Sequence, residues 1–121
     1  VDTLPLTPAT RHFFAAAQFD RMRDTAYFFN AGRGGTVDQD ALISALQSGA
    51  IAGAGLDVTD PEPLPEDHPL WSLDNAQVTM HLSGRAQTGM FRRSADRFIE
   101  NLRKWHAGEP VEPQMDLTLG Y

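Results

Sequence analysis

The chain has 121 residues and a formal net charge of −6, with 41% apolar, 21% charged and 9% aromatic residues, the balance of one ordinary globular domain. That charge offers no basic footprint for nucleic acid or an anionic membrane surface, and the lack of cysteine excludes a disulfide framework, thiolate zinc sites and a cysteine nucleophile. No apolar run approaches the ~20 residues of a spanning helix and no signal peptide is evident, so a cytoplasmic location is expected.

In chain order, Leu4 and Leu6 with Pro5 and Pro8 read as a strand end running into a turn. Thr7 is a suitable N-cap and Pro8 is tolerated in a first turn, so a short helix, broken in its middle, is expected through ATRHFFAAAQFDRM, residues 9–22. Residues 26–29 (AYFF) have strand character. Asp38 caps a helix whose apolar face is Ala41, Leu42, Ile43, Ala45 and Leu46, with Gly49 as its terminator.

Residues 51–58 (IAGAGLDV) are a small-residue apolar run of the kind found in a buried parallel strand. TDPEPLPEDHPLW, with four of the eight prolines, must be an extended loop, and AQVTMHL is a further strand. From Gln87 to Ala107 an apolar stripe at helical spacing predicts a long helix, ended by Gly108 and Pro110, with core packing as its ordinary use and a subunit or interdomain contact as the other. Strands alternating with helices argue for an α/β fold with a mainly parallel sheet.

The glycines of NAGRGGTVDQDAL invite a phosphate-loop reading. A dinucleotide fingerprint, however, needs G-x-G-x-x-G opening a helix directly. Here the glycines stand at 32, 34 and 35, the helix is capped later by Asp38, and that carboxylate would compete with phosphate for the free amides. The other reading is that small neighbours let the chain turn and a ligand approach around Arg33, whose planar fork suits a carboxylate. Arg33 follows a strand, at the sheet edge where open α/β sheets bind ligands. A surface salt bridge would explain a lone arginine equally well.

Glu62 and His81 follow two further strands, so with Arg33 and Asp57 they would line one sheet edge if the strands are parallel. An imidazole beside a carboxylate can hold a proton near neutral pH, and an Arg, a His and a Glu in one cleft could bind a small acid and move one proton. Each alone is more often a packing or solvated residue. His12, His68 and His106 lack partners at metal-ligand spacing, so no metal is assigned.

NAGRGGTVDQDAL, AGAGLDVTDPEPLPEDHPLW and VTMHLSG, in this order and with LPLTPATR before and WHAGEP after, resemble the D-isomer-specific 2-hydroxyacid dehydrogenases over nearly the whole chain. The resemblance implies a Rossmann-like half domain, three-layered, with a long C-terminal helix: residues 1–108 as the later part of an NAD(P)-binding domain with its return helix, and 109–121 as a tail belonging to the substrate domain. It implies that Arg33 binds the carboxylate of a 2-hydroxy or 2-keto acid, that His81 exchanges a proton with the substrate oxygen, and that Glu62 pairs with His81. Asp57 would lie at the nicotinamide end of NAD or NADP, with Pro5, Ala31, Gly32, Ser83 and Gly84 lining the cofactor. A homodimer is implied as well.

The departures from the family pattern are specific. Met80 stands where the family usually has Pro before the histidine, and Ala31-Gly32 is smaller than the common pairs. Glu62 stands where formate dehydrogenases carry Gln, which favours a 2-hydroxy or 2-keto acid over formate. The phosphate-binding G-x-G-x-x-G is not encoded here. Val1 opens the chain without an initiator Met, as a piece of a longer protein or a processed product would. An NAD(H)-sensing binding protein of the corepressor type would carry similar motifs, and an inactive remnant is the third reading.

Overall fold

Three short strands, β1 (Tyr27–Asn30), β2 (Gly53–Leu56) and β3 (Ala76–Val78), pair in parallel in that order in a computed structural model, which describes residues 1–84 and 89–119. The register sets Phe28 beside Ala54 and Ala54 beside Ala76, and Phe29 beside Gly55 and Gly55 beside Gln77. Asp2 adds a parallel bridge on the outer side of β1, through Asp2 N–H to Phe29 O (2.7 Å) and Ala31 N–H to Asp2 O (3.0 Å). The strand end expected near Leu4 and Leu6 is therefore reached earlier, at Asp2.

Side chains alternate across a strand, so the sheet has two distinct faces. Phe28, Asn30, Ala54 and Leu56 are buried on one of them. Phe28, Ala54 and Leu56 pack in a cluster with Phe19 of α1 (Ala16–Phe19) and Leu42, Ala45 and Leu46 of α2 (Gln39–Ser48). Phe28 meets Phe14 and Phe19 with ring centroids 5.0 and 5.4 Å apart, the second pair edge-on. Fully burying side chains of this size contributes roughly 1.5–3 kcal/mol each.

The opposite face carries Tyr27 and Phe29, 65% and 49% exposed, with their rings lying over Gly53 and Gly55. Within this unit, Val1–Leu82, helices therefore cover one face of the sheet.

Helix α2 forms where its signals stand. The Asp38 carboxylate accepts from Ala41 N–H at 3.1 Å, and Gly49 closes the helix in the left-handed conformation, φ 72°. The helix expected over residues 9–22 is reduced to the single turn α1. A turn does form at Thr7, where Thr10 and Arg11 N–H both bond Thr7 O, but Phe14 is then drawn into an extended bridge with Val37. Phe14 N–H bonds Thr36 O and Asp38 N–H bonds Phe14 O, so a helix there would forfeit both of those bonds.

The second unit, Ser83–Tyr121, is built on α3 (Met90–His106). The expected start at Gln87 lies outside the described residues. Gly108, φ 73°, ends the helix as anticipated, and the following segment folds back through paired bonds between the Asn101 amide and the Glu112 backbone. The apolar stripe does not become core: Phe91, Phe98, Leu102 and Trp105 are 83%, 68%, 50% and 70% exposed. No helix among the described residues is long and apolar enough to cross a membrane.

Candidate active site

Parallel strands place the residues that follow β1, β2 and β3 at one edge of the sheet, and the candidate residues of the first unit gather there. Asn30, the last residue of β1, is buried, and its side chain is spent on the loop that follows. Its Oδ1 accepts from Gly32 N–H (2.9 Å) and its Nδ2 donates to Arg33 O (3.2 Å). Thr36 Oγ1 lies 2.6 Å from Arg33 O and 2.5 Å from the buried Asp2 carboxylate, whose other oxygen accepts from Leu4 N–H. The backbone of Arg33 is thus held from both sides.

Arg33 itself is exposed, donates from Nη1 to Gly32 O (2.7 Å) and has no carboxylate partner among the described residues.

The glycines beside it act differently from the expectation. None of Gly32, Gly34 and Gly35 has a positive φ, and the space they leave is taken by the protein's own chain rather than by a ligand. A Cβ on Gly32 would meet Leu4 O at 2.8 Å, and one on Gly34 would lie 1.9 Å from Thr59 O. Gly34 therefore lets the Arg33 loop press directly on the loop that carries Glu62.

β3 ends at Val78, short of the run through Leu82 that the sequence predicts. His81 lies beyond the strand, in a turn with φ 55°. The backbone still returns to β2, with Thr79 N–H on Leu56 O and His81 N–H on Asp57 O, both at 2.8 Å. His81 Nδ1 stands 2.8 Å from Glu62 Oε1, the pair that the sequence could only place near one another. Their side chains are 45% and 41% exposed, so the pair is open to solvent and to a ligand.

Asp57 Oδ1 accepts from Thr79 Oγ1 (2.5 Å) and Leu82 N–H (2.7 Å). Beside Glu62 and Asp57 lies a largely apolar cleft of about 710 Å³, walled by Pro63, Leu64, Trp71 and Met80.

Ala31 is exposed, Gly32 buried, and Pro5 and Asp57 half-buried at this edge. Ser83 and Gly84 belong to the second unit, and a Cβ at Gly84 would meet nothing within 4 Å among the described residues. Sequence reasoning missed the holding residues Asp2, Asn30, Thr36 and Thr79. The available signal was a polar residue ending or following each apolar strand, as Asn30 ends AYFFN and Thr79 follows AQV.

A family model described as D-isomer specific 2-hydroxyacid dehydrogenase, NAD binding domain, matches residues 1–83. Glyoxylate/hydroxypyruvate reductase B of Citrobacter koseri is 46% identical over 115 residues, covering 93% of this chain and 36% of that protein. A D-isomer specific 2-hydroxyacid dehydrogenase of Xanthobacter autotrophicus Py2, solved with NADPH and MES, superposes with a TM-score of 0.88 at 47% identity, over 98% of this chain and 48% of the other. An NADPH-dependent glyoxylate/hydroxypyruvate reductase of Sinorhizobium meliloti, solved with NADP and sulfate, gives 0.89 at 33% identity, over 98% and 38%. The chain therefore spans well under half the length of the curated relative it matches. With the family model matching over residues 1–83 and the same fold in these solved dehydrogenases, the chain belongs to the D-isomer-specific 2-hydroxyacid dehydrogenases.

Proposed function

We propose that the protein carrying this chain is an NAD(P)-dependent oxidoreductase that interconverts a D-2-hydroxy acid and its 2-keto acid, with glyoxylate and hydroxypyruvate as the first substrates to test. The observation that carries the reading is the His81–Glu62 pair at 2.8 Å, at the sheet edge that also bears Arg33, which has no carboxylate partner among the described residues.

The edge fits a nicotinamide. Ala31 offers only a methyl group there, and the side chain of Asn30 is turned into the loop, so nothing bulky is contributed by these two residues. Pro5, Ala31, Gly32 and Asp57 would hold this end of NAD or NADP. When bound, the dinucleotide supplies or accepts the hydride at the substrate's C2.

The chain's own residues do the remainder. Arg33 binds the substrate carboxylate through its fork and polarises the keto oxygen, where negative charge develops. His81, with Nδ1 engaged by Glu62, keeps Nε2 for the proton that passes to that oxygen, and takes it back when the hydroxy acid is oxidised. Glu62, 2.8 Å from Nδ1, fixes the orientation of the ring. Residues 109–121 would return to the substrate domain, and the protein would assemble as a homodimer.

Oxidation of NADPH or NADH by the intact protein, followed at 340 nm with a panel of 2-keto acids, tests the proposal. Turnover with at least one of them is expected. Tight dinucleotide binding with no turnover of any member would instead favour a sensor of the cofactor.

A further inference from the structure

His81 occupies a backbone conformation that side-chain-bearing residues rarely adopt, φ 55°. Such a residue stays there only where its surroundings over-determine it. Packing does not supply that constraint. Thr79, Met80, His81 and Leu82 are all exposed, Met80 by 79% and Leu82 by 43%.

Hydrogen bonds do supply it, and they converge on the residue that follows β2. Asp57 takes Thr79 Oγ1 and Leu82 N–H on one carboxylate oxygen, at 2.5 and 2.7 Å, and His81 N–H on its carbonyl, at 2.8 Å. Both flanks of His81 and its own amide are tied to a single residue. The ring that leaves this turn meets Glu62 at 2.8 Å.

We infer that Thr79 and Asp57 form a latch that positions His81, with the Thr79 hydroxyl a positioning residue for proton transfer. An apolar strand former would serve the end of β3 as well as Thr79 does, so its hydroxyl is explained by the bond to Asp57 and not by strand propensity. This role for Asp57 is additional to any contact with the dinucleotide. Its kinetic consequence rests on the dehydrogenase reading; its structural consequence does not.

The experiment compares Thr79→Val, Thr79→Ala and Thr79→Ser in the intact protein. Histidine-ring ¹⁵N spectra are taken at a pH where the ring is neutral. In the unsubstituted protein His81 should show the Nδ1–H tautomer, donating to Glu62. In Thr79→Val and Thr79→Ala it should move toward the Nε2–H form that an unconstrained imidazole prefers, and Thr79→Ser should restore the original signature.

Turnover of a 2-keto acid should fall roughly 10- to 100-fold in the Val and Ala variants through kcat, as a misplaced proton donor predicts. KM and dinucleotide affinity should stay within about twofold, and Ser should recover most of the loss. The Ala variant removes the hydroxyl at an exposed position without adding bulk, so it reports even if Val perturbs the turn. An unchanged ring spectrum in Thr79→Ala overturns the latch, whatever turnover does. Failure of the dehydrogenase reading shows separately, as absence of turnover by the unsubstituted protein.

Discussion

Gly34→Ala is a demanding test of how the site is assembled, because the added methyl carbon meets backbone and not a movable side chain. Its Cβ would lie 1.9 Å from Thr59 O, 2.1 Å from Thr59 C and 2.7 Å from Asp60 N. Carbon contacts are comfortable at about 3.5 Å, so the Arg33 loop and the Glu62 loop must part by roughly 1.5 Å. Overpacking of this kind costs about 1–3 kcal/mol, occasionally more, and a clash with fixed backbone belongs at the upper end, about 3 kcal/mol. With a urea slope of about 1.5 kcal/mol per molar, the unfolding midpoint should drop by about 2 M.

Turnover should fall along with stability, since Arg33 is the adjoining residue. Gly84→Ala is the internal control. A Cβ there meets nothing within 4 Å among the described residues, so the variant's stability should stay within about 0.5 kcal/mol of the original. Indistinguishable urea midpoints for Gly34→Ala and the unsubstituted protein would refute the close approach of the two loops.

Asp38→Ala removes the carboxylate that accepts from Ala41 N–H, and should cost about 1 kcal/mol of stability in the same urea assay without altering ligand affinity. Arg33→Lys keeps the charge and loses the fork; steady-state kinetics should show kcat/KM for the keto acid down by roughly 100-fold, while fluorescence titration finds NAD(P)H binding nearly unchanged. Glu62→Gln keeps the shape beside His81 and loses the charge. Because both side chains are partly exposed, the loss should be modest, about 1 kcal/mol or roughly fivefold in kcat/KM. The Thr118 hydroxyl, then the amides of Thr118 and Leu119, hold the Asp116 carboxyl below its ordinary value. The turn they form should persist above the ordinary carboxylate range and be lost as pH falls through the lowered value, as a carboxyl ¹³C titration would register.

The elements that announced themselves did so through local chemistry. Asp38 and Gly49 bracket α2 because a cap and a left-handed terminator act within one turn of the chain, and Gly108 ends α3 for the same reason. The parallel pairing of β1 and β2 follows from the helix α2 between them, and the parallel sheet brings the residues after β1, β2 and β3 to one edge.

What was not legible depends on partners distant in sequence. Phe14 leaves a helical pattern because Thr36 and Val37 lie beside it, and β3 stops at Val78 because Asp57 captures the next turn. The glycines around Arg33 read as room for a ligand, yet Leu4 and Thr59 fill that room, and only the folded chain shows which backbone comes close. The stripe on α3 is periodic enough to predict a helix. Periodicity does not say whether a partner covers it, and Phe91 and Trp105 remain largely exposed.

If His81, held by Glu62, moves the proton, removing its imidazole must stop the reaction. Steady-state reduction of a 2-keto acid by the intact His81→Ala protein, with dinucleotide affinity measured in parallel, decides this. A loss of roughly 100- to 10,000-fold in kcat with the dinucleotide still bound is the predicted result. Near-normal turnover in His81→Ala would rule out His81 as the proton carrier.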